Sequence, residues 1–274
     1  MQLVHDQDRD SYLSVLYMPA AVRPFIFALY AFQCELVRIQ ETVTNPALGE
    51  IRLQWWHDLL QKNCKVERTS HPVAQELLNT LDTFSFSPEP FQTLIEAHSF
   101  DLYNEPMSSF EDVKDYCRKT TSVTMSMIAR VLSGTSYEPS ENFIEAVCHA
   151  GIASGLIGII RGFPWHIRKG IQFISKDLQE RYAIISHDML VGVGEEPVVS
   201  ALLNIAESAR EHRNIALSLL DTLTKNEKRS LLLLCLVPSY CSLVEKENFN
   251  PFHTHLEIPF WKKHWLLWRE HRRI

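Results

Sequence analysis

The sequence predicts an all-α protein built as one domain over residues 1–274. Glycine is scarce, with nine residues in the chain, and apolar residues recur with the helical period of 3.6 rather than alternating as in a strand. The chain is long enough to bury a substantial core. Its charged fraction of 22% is too low for a disordered protein. We find no internal repeat, linker or low-complexity segment.

The net charge, the cysteines and the apolar segments indicate where the protein is located and which partners it binds. A net charge of −6 gives no support to nucleic-acid binding. The six cysteines include no C-x-x-C pair, which favours a reducing compartment. The N-terminus lacks the apolar segment of a signal or transit peptide, and the most apolar run, Leu231 to Val237, is too short to span a bilayer. We therefore expect a cytoplasmic protein without a transmembrane helix, one that can lie peripherally on the inner membrane.

The opening stretch carries two long helical patterns after a polar segment, residues 5–10, which we expect to be an exposed arm or a helix start. The two helices meet at Thr44, and Asn45 and Pro46 provide an N-cap and a first helical residue. The pair is either the wall of a lined cavity or an amphipathic pair with a solvated face. The charged and polar residues of this pair are Glu35, Arg38, Glu41, Glu50, Arg52, Gln54 and His57.

The remainder of the chain is also predicted to be helical. Asp101 falls near a helix C-terminus, where a carboxylate is poorly placed unless a cation faces it, and we assign it a structural role. Ser108 and Glu111 form a capping-box pattern, and Phe163–Pro164 is expected to kink or break a helix. The predicted helices are Val73 to Phe84, Phe91 to Tyr103, Val113 to Leu132, Glu141 to Gly162, Pro197 to Leu223 and Lys228 to Glu245, with a loop from Asn63 to Pro72 and mixed structure from Ile171 to Gly194.

Four glycines, Gly151, Gly155, Gly158 and Gly162, lie along one stripe of the fourth of these helices. Each glycine costs a helix about 1 kcal/mol relative to alanine. The stripe therefore predicts a close approach by another helix or by a ligand.

The C-terminal segment mixes tryptophans with basic residues. Trp261, Trp265 and Trp268 stand among lysines and arginines, a pattern that suits a membrane interface. The alternative is a terminal helix that docks on the core by its tryptophan face, and the sequence leaves both open. His253 and His255 lack the company of acidic or thiol ligands, so we expect no metal there.

Several stretches resemble the squalene/phytoene synthase family, in matching order and over nearly the whole chain. They are LYMPAAVRPFIFALYAF, FDLYNEP, FEDVKDYC and GIIRGFPWHIRKGIQF. The resemblance implies a single-domain, all-α isoprenoid-synthase fold around a central cavity. Active members of the family condense two prenyl diphosphates head to head, with magnesium ions held by two aspartate-rich helices.

The two aspartate motifs of the family are degenerate in this chain. Magnesium would neutralise a diphosphate leaving group through carboxylate ligands, but the first motif keeps only Glu41, and the second follows Arg161 with no carboxylate. We therefore expect no metal site and no cofactor, and we assign no catalytic residue. The degenerate positions are Val37, Arg38, Glu41, Gly162, Trp165 and His166.

The stretches YAFQCELVRIQETV and NPALGEIRLQWW resemble a branch of the family that includes bacterial proteins of unassigned function and complex I assembly factors. This resemblance implies a non-catalytic protein that binds a partner, and respiratory-complex assembly at a membrane surface is the role we expect.

Two other functions stay open. The first is a prenyl-diphosphate transferase that uses magnesium, with a site rebuilt from Glu35, Glu41, Glu50, Asp101 and Glu105. The second is metal-independent binding of a prenyl diphosphate or an anionic lipid, since arginine holds phosphate bidentately. We favour a buried salt-bridge network in which the arginines pair with Glu35, Glu41 and Glu50. A cavity filled by Trp55, Trp56 and Trp165 would leave only surface interactions. The candidate ligand-binding residues are Arg38, Glu41, Arg52, Gln54, Arg161, Arg168 and Lys169.

Overall fold

The computed structural model describes residues 1–43, 45–61, 69–103 and 105–274. For Glu41 it describes the backbone but not the side chain. Within these ranges the regular structure is helical throughout, which confirms the all-α prediction. One continuous hydrophobic core joins the helices from the first to the last. The α-helices are α1 Gln2–Gln7, α2 Arg9–Leu16, α3 Arg23–Thr42, α4 Pro46–Gln61, α5 Pro72–Phe84, α6 Glu89–Ser99, α7 Phe110–Cys117, α8 Val123–Ser133, α9 Glu141–Arg168, α10 Lys176–Arg181, α11 Ser186–Leu190, α12 Glu195–Ser218, α13 Lys225–Ser230, α14 Val237–Val244 and α15 Phe260–Arg273.

The boundary between α3 and α4 follows the predicted capping pattern. The Asn45 Oδ1 atom accepts a hydrogen bond from the Ala47 amide at 3.0 Å, and Pro46 occupies the first helical position, where its missing N–H costs nothing. Thr44 lies outside the described residues, as does most of the loop predicted from Asn63 to Pro72.

Helix α9 lies at the centre of the bundle and packs against α7, α8, α12 and α14. By length and composition alone, α9 and the segment 20–40 could each cross a membrane, although the sequence prediction considered only Leu231 to Val237. The structure buries 61% of the apolar window of α9 and half of the window in 20–40. The central position of α9 in the core therefore accounts for its hydropathy.

The helix predicted from Val113 to Leu132 is interrupted. A π-helical turn, Arg118–Ser122, separates α7 from α8, in the segment rich in threonine and serine. The capping box lies one residue later than predicted. The Ser109 Oγ atom accepts from the Asp112 amide at 3.2 Å, and the Asp112 carboxylate accepts from the Ser109 amide at 2.9 Å.

The glycine stripe of α9 serves two purposes. A Cβ atom on Gly151 would lie 2.4 Å from the backbone of Ser122, and one on Gly155 would lie 2.8 Å from Cys117. These two glycines therefore let the π-helical turn approach α9 closely. A Cβ on Gly158, in contrast, would meet no atom of the described residues within 4 Å. Gly151 and Gly155 therefore lie on a packing surface, whereas Gly158 faces open space.

Two further helix predictions differ from the structure. Pro164 does not break α9, which continues for another turn to Arg168. The helix predicted from Lys228 to Glu245 is divided into α13, a 3₁₀ segment at Leu232–Leu236 and α14. Pro238 lies in the first turn of α14, where a residue without an N–H begins a helix more readily than it continues one.

Helix α15 docks on the core through Lys263, Leu266 and Leu267, all of them buried. Its tryptophans point away from the core, with exposed fractions of 70% for Trp261, 48% for Trp265 and 49% for Trp268. The interpretation in which the tryptophan face docks was therefore wrong. These two faces lie on opposite sides of the helix, and a buried lysine occupies the inner one.

Two glycines of the stripe, Gly151 and Gly158, should respond oppositely to substitution by alanine. We expect Gly151→Ala to lower the free energy of unfolding by about 1–3 kcal/mol, because its methyl group overpacks against the Ser122 backbone. Gly158→Ala should raise it by about 0.5–1 kcal/mol, since helix propensity improves without a clash. Urea denaturation followed by circular dichroism measures both values. Equal effects of the two substitutions would contradict the described packing.

Candidate functional site

A cavity of about 250 Å³ lies in the middle of the bundle. Helix α9 forms one side of it through Ser154, Gly158 and Arg161, and α3 contributes Tyr30 and Val37. The central cavity implied by the family resemblance is therefore present. Its volume falls just below the range of about 300–1,000 Å³ that holds drug-sized ligands.

Trp55, Trp56 and Trp165, the side chains named above as able to fill the cavity, do not line it. Trp55 and Trp56 instead line an outer groove between α3 and α4, and their rings lie 5.6 Å and 5.3 Å from the ring of His71. Trp165 packs edge-on against His166, with the ring centres 5.4 Å apart. The cavity is therefore not filled by these side chains.

Asp10 is the centre of a buried ionic cluster at one end of the cavity. Its carboxylate lies 2.9 Å from Arg161 Nη1 and 2.6 Å from Lys263 Nζ, and it accepts a hydrogen bond of 2.6 Å from Tyr240. Asp10 is 4% exposed and Lys263 is 2% exposed. Glu257 completes the cluster by contacting Lys263 and, at 3.8 Å, Arg161.

This cluster corrects the sequence prediction for residues 5–10. The helix start is confirmed, because Asp8 is the N-cap of α2 and its side chain accepts from the Ser11 amide at 3.2 Å. The expected exposure is wrong for Asp10. Its cationic partners, Arg161 and Lys263, come from the middle and the end of the chain, which no local pattern could indicate.

The charge of Arg161 is compensated within the cluster. Burial, the largest single effect, lowers the pKa of its guanidinium, but Asp10, Tyr240, Asp8 and Glu257 together outweigh burial and the pKa ends above its ordinary value. The guanidinium also lies over the Tyr240 ring, 4.6 Å from its centre. Arg161 therefore pairs with Asp10 and Glu257, rather than with Glu35 or Glu50 as the sequence interpretation favoured.

A second buried network lies on the wall of the cavity. Asp101 is held by His98 Nδ1 at 2.8 Å and by the Tyr116 hydroxyl at 2.9 Å. The Gln40 side chain also donates a hydrogen bond to the backbone carbonyl of Asp101. His98 and Tyr116 were not among the sequence candidates. The only sequence signal was the separation of three residues between His98 and Asp101, which places the two side chains on neighbouring turns.

Gly162 and His166, two of the degenerate motif positions, lie against each other at this wall. The His166 ring lies against Gly162, where a Cβ atom would approach ring atom Cε1 to 2.4 Å. Burial lowers the pKa of His166 to about 4, with a smaller opposing effect from Asp101, so the ring is neutral at neutral pH. A neutral imidazole therefore occupies the region in which the resemblance implies metal-binding carboxylates.

The structure does not bring the candidate ligand-binding residues to one place. Arg161 lines the cavity, whereas Arg38 and Arg52 line the outer groove. Gln54 is exposed and donates to Asp58 at 2.7 Å. Arg168 and Lys169 are both exposed at the end of α9. The side chain of Glu41 lies outside the described residues.

The carboxylates named above for a rebuilt magnesium site are also dispersed. Glu35 lies in the outer groove, 3.3 Å from Arg38, and Glu50 accepts from Tyr103 on the surface. Asp101 is buried in its own network, and Glu105 is exposed. Among the described residues, no three or more histidine, cysteine, aspartate or glutamate side chains converge as metal ligands. The described side chains therefore do not fit a magnesium–diphosphate cluster.

We expect Asp10→Asn to lower the free energy of unfolding by about 3–5 kcal/mol, because it removes the anion shared by buried Lys263 and partly buried Arg161. Asp6→Asn, which changes an exposed carboxylate on α1, should leave stability nearly unchanged. Urea denaturation of both variants provides the comparison. If the two variants were equally stable, the cluster could not be holding the helices together.

Comparison with known proteins agrees with this description of the fold. The model of the squalene/phytoene synthase family matches residues 4–269. Complex I assembly factor 6 of Homo sapiens is 21% identical over 257 residues, which cover 94% of this chain and 76% of that protein. A 15-cis-phytoene synthase of Synechocystis sp. is 25% identical over 264 residues, covering 92% and 77%.

Two solved structures share the fold. A dehydrosqualene synthase in complex with ligand superposes with a TM-score of 0.81 at 16% identity, covering 99% of this chain and 94% of the other. Squalene synthase HpnC from Alicyclobacillus acidocaldarius gives a TM-score of 0.75 at 15% identity, covering 92% and 93%. The chain belongs to the squalene/phytoene synthase family.

Proposed function

We propose that this protein is a non-catalytic member of the family that assists assembly of the NADH dehydrogenase complex, complex I. The observation that carries the proposal is the replacement at the second motif. There, Gly162 and a neutral His166 take positions at which catalysis would need magnesium-binding carboxylates. The neighbouring Arg161 is already paired with Asp10.

The names of the relatives support the assembly part of this proposal. Proteins named complex I assembly factor 6 from several animals, and a homologue from Dictyostelium discoideum, match more than nine-tenths of this chain. A factor of this kind needs a folded binding surface rather than a reactive site. An intact core combined with degenerate motifs fits that requirement.

A prenyl-diphosphate transferase is the second candidate, because two phytoene synthases also match the chain. Head-to-head condensation places two long prenyl chains in one site. The cavity of about 250 Å³ is small for two such substrates. Its described walls also lack a cluster of metal ligands. These observations favour the non-catalytic function.

The surface of α15 supports a position at a membrane. Trp261, Trp265 and Trp268 form one exposed stripe, and tryptophan favours the interface between water and lipid. Arg269 lies over the Trp265 ring at 4.5 Å, and Arg272 lies over the Trp268 ring at 5.6 Å. Positive charge beside apolar rings suits an anionic bilayer. In this proposal the protein is peripheral on the inner membrane.

Deletion of the gene in the source organism should reduce the amount of assembled NADH dehydrogenase, and the wild-type gene should restore it. Native electrophoresis of membranes with an in-gel NADH oxidation stain measures the complex. A deletion strain that keeps normal NADH dehydrogenase but loses a prenyl-derived hydrocarbon would contradict the proposal and support the transferase.

Combined substitution of Trp261, Trp265 and Trp268 by serine should weaken binding to anionic vesicles by about tenfold or more, because it removes the apolar surface that enters the interface. Trp55→Ser removes an exposed tryptophan on α4 and serves as the matched control. Vesicle flotation measures the bound fraction. Equal flotation of the triple variant and the wild type would rule out α15 as the contact.

A further inference from the structure

Three residues that line the central cavity have buried polar atoms that no described group satisfies. His98 Nε2, Ser154 Oγ and His166 Nδ1 are buried and have no partner within the described part of the chain. All three residues line the cavity, and His98 is only 3% exposed. Buried polar atoms are costly to leave unpaired. Their arrangement around one space is that of a binding site for a polar group.

His98 has a defined orientation in this site. Its Nδ1 atom donates to the Asp101 carboxylate at 2.8 Å, and that carboxylate also accepts from Tyr116 at 2.9 Å. This contact fixes the ring and its tautomer. In the neutral ring, Nε2 then offers a lone pair, which accepts a hydrogen bond from a hydroxyl or amine.

The charges around the cavity oppose an anionic ligand. Arg161 and Lys263 provide two positive charges, while Asp8, Asp10 and Asp101 provide three carboxylates. The cations are paired with Asp10 at 2.9 Å and 2.6 Å. A diphosphate would therefore meet compensated cations and additional negative charge, which disfavours its binding.

The remaining wall is suited to an apolar body. Met125, Phe173, Leu236 and Val237 line the cavity together with Gly155 and Gly158 of α9. Gly158 leaves open space, because an added Cβ would contact no described atom within 4 Å. The volume of about 250 Å³ suits one short chain rather than two long ones.

We propose that this cavity binds an uncharged, mainly apolar molecule through a hydroxyl group that donates to His98 Nε2, and that it rejects the corresponding diphosphate. The inference rests on the non-catalytic function proposed above, since an active transferase would have to hold the diphosphate. The ligand of the cavity is distinct from the protein partner of the proposed assembly function.

Three probes with the same ten-carbon chain test this inference: geraniol, geranyl methyl ether and geranyl diphosphate. Isothermal titration of the full chain should show geraniol binding about tenfold or more tightly than the ether, which has no O–H to donate. The diphosphate should bind about tenfold or more weakly than geraniol, with or without Mg²⁺.

Gly158→Leu should abolish geraniol binding by filling the space beside α9, while leaving the fold intact. Asn142→Leu adds the same side chain at an exposed position of the same helix and should bind geraniol like the wild type. Thermal unfolding of both variants confirms that they fold, so a loss of binding reports on the cavity itself.

Any of three results would overturn the inference: no binding of geraniol, binding of geranyl diphosphate as tight as that of geraniol, or undiminished binding to folded Gly158→Leu. These outcomes are separate from failure of the proposed function. That failure would appear as normal NADH dehydrogenase in the deletion strain, whatever the titration shows.

Discussion

The ionic cluster around Asp10 joins parts of the chain that are far apart in sequence. Through one carboxylate, α2 is tied to Arg161 of α9, Tyr240 of α14 and Lys263 of α15. Burying Lys263 almost completely is tolerable only because two carboxylates surround its ammonium group. The position of α15 follows from this pairing. The tryptophan stripe is exposed because the opposite face of α15 must reach Asp10.

The same cluster bears on the proposed absence of catalysis. Arg161 precedes the degenerate second motif, and its charge is satisfied inside the protein rather than offered to a ligand. One turn later, His166 lies over Gly162 and is neutral. The cavity encloses compensated charge and buried polar atoms that no described side chain satisfies. The cavity is retained, and its chemistry differs.

Much of the fold could be predicted from local signals. Asn45 and Pro46 marked the start of α4 because capping depends on a few neighbouring residues. The glycine stripe indicated a close approach, which the contact with Ser122 confirms. The π-helical turn Arg118–Ser122 could not be read from periodicity, since its five residues include no apolar side chain whose spacing could indicate it.

The site was harder to predict than the fold. The burial of Asp10 depends on Lys263, more than 250 residues away in the chain. No pattern near residue 10 distinguishes it from an exposed helix start. His98 looked like an ordinary residue of an amphipathic helix until its contact with Asp101 was known. The motif comparison did indicate the missing carboxylates, because it depends on residue identity alone.

The most direct measurement of the central claim is pyrophosphate release by the purified protein from farnesyl or geranylgeranyl diphosphate in the presence of Mg²⁺. A coupled phosphate assay, with an active synthase as positive control, gives the required sensitivity. The structure predicts no release above the rate without protein, because the described cavity walls hold no cluster of metal ligands. Enzyme-dependent release of pyrophosphate would contradict the account.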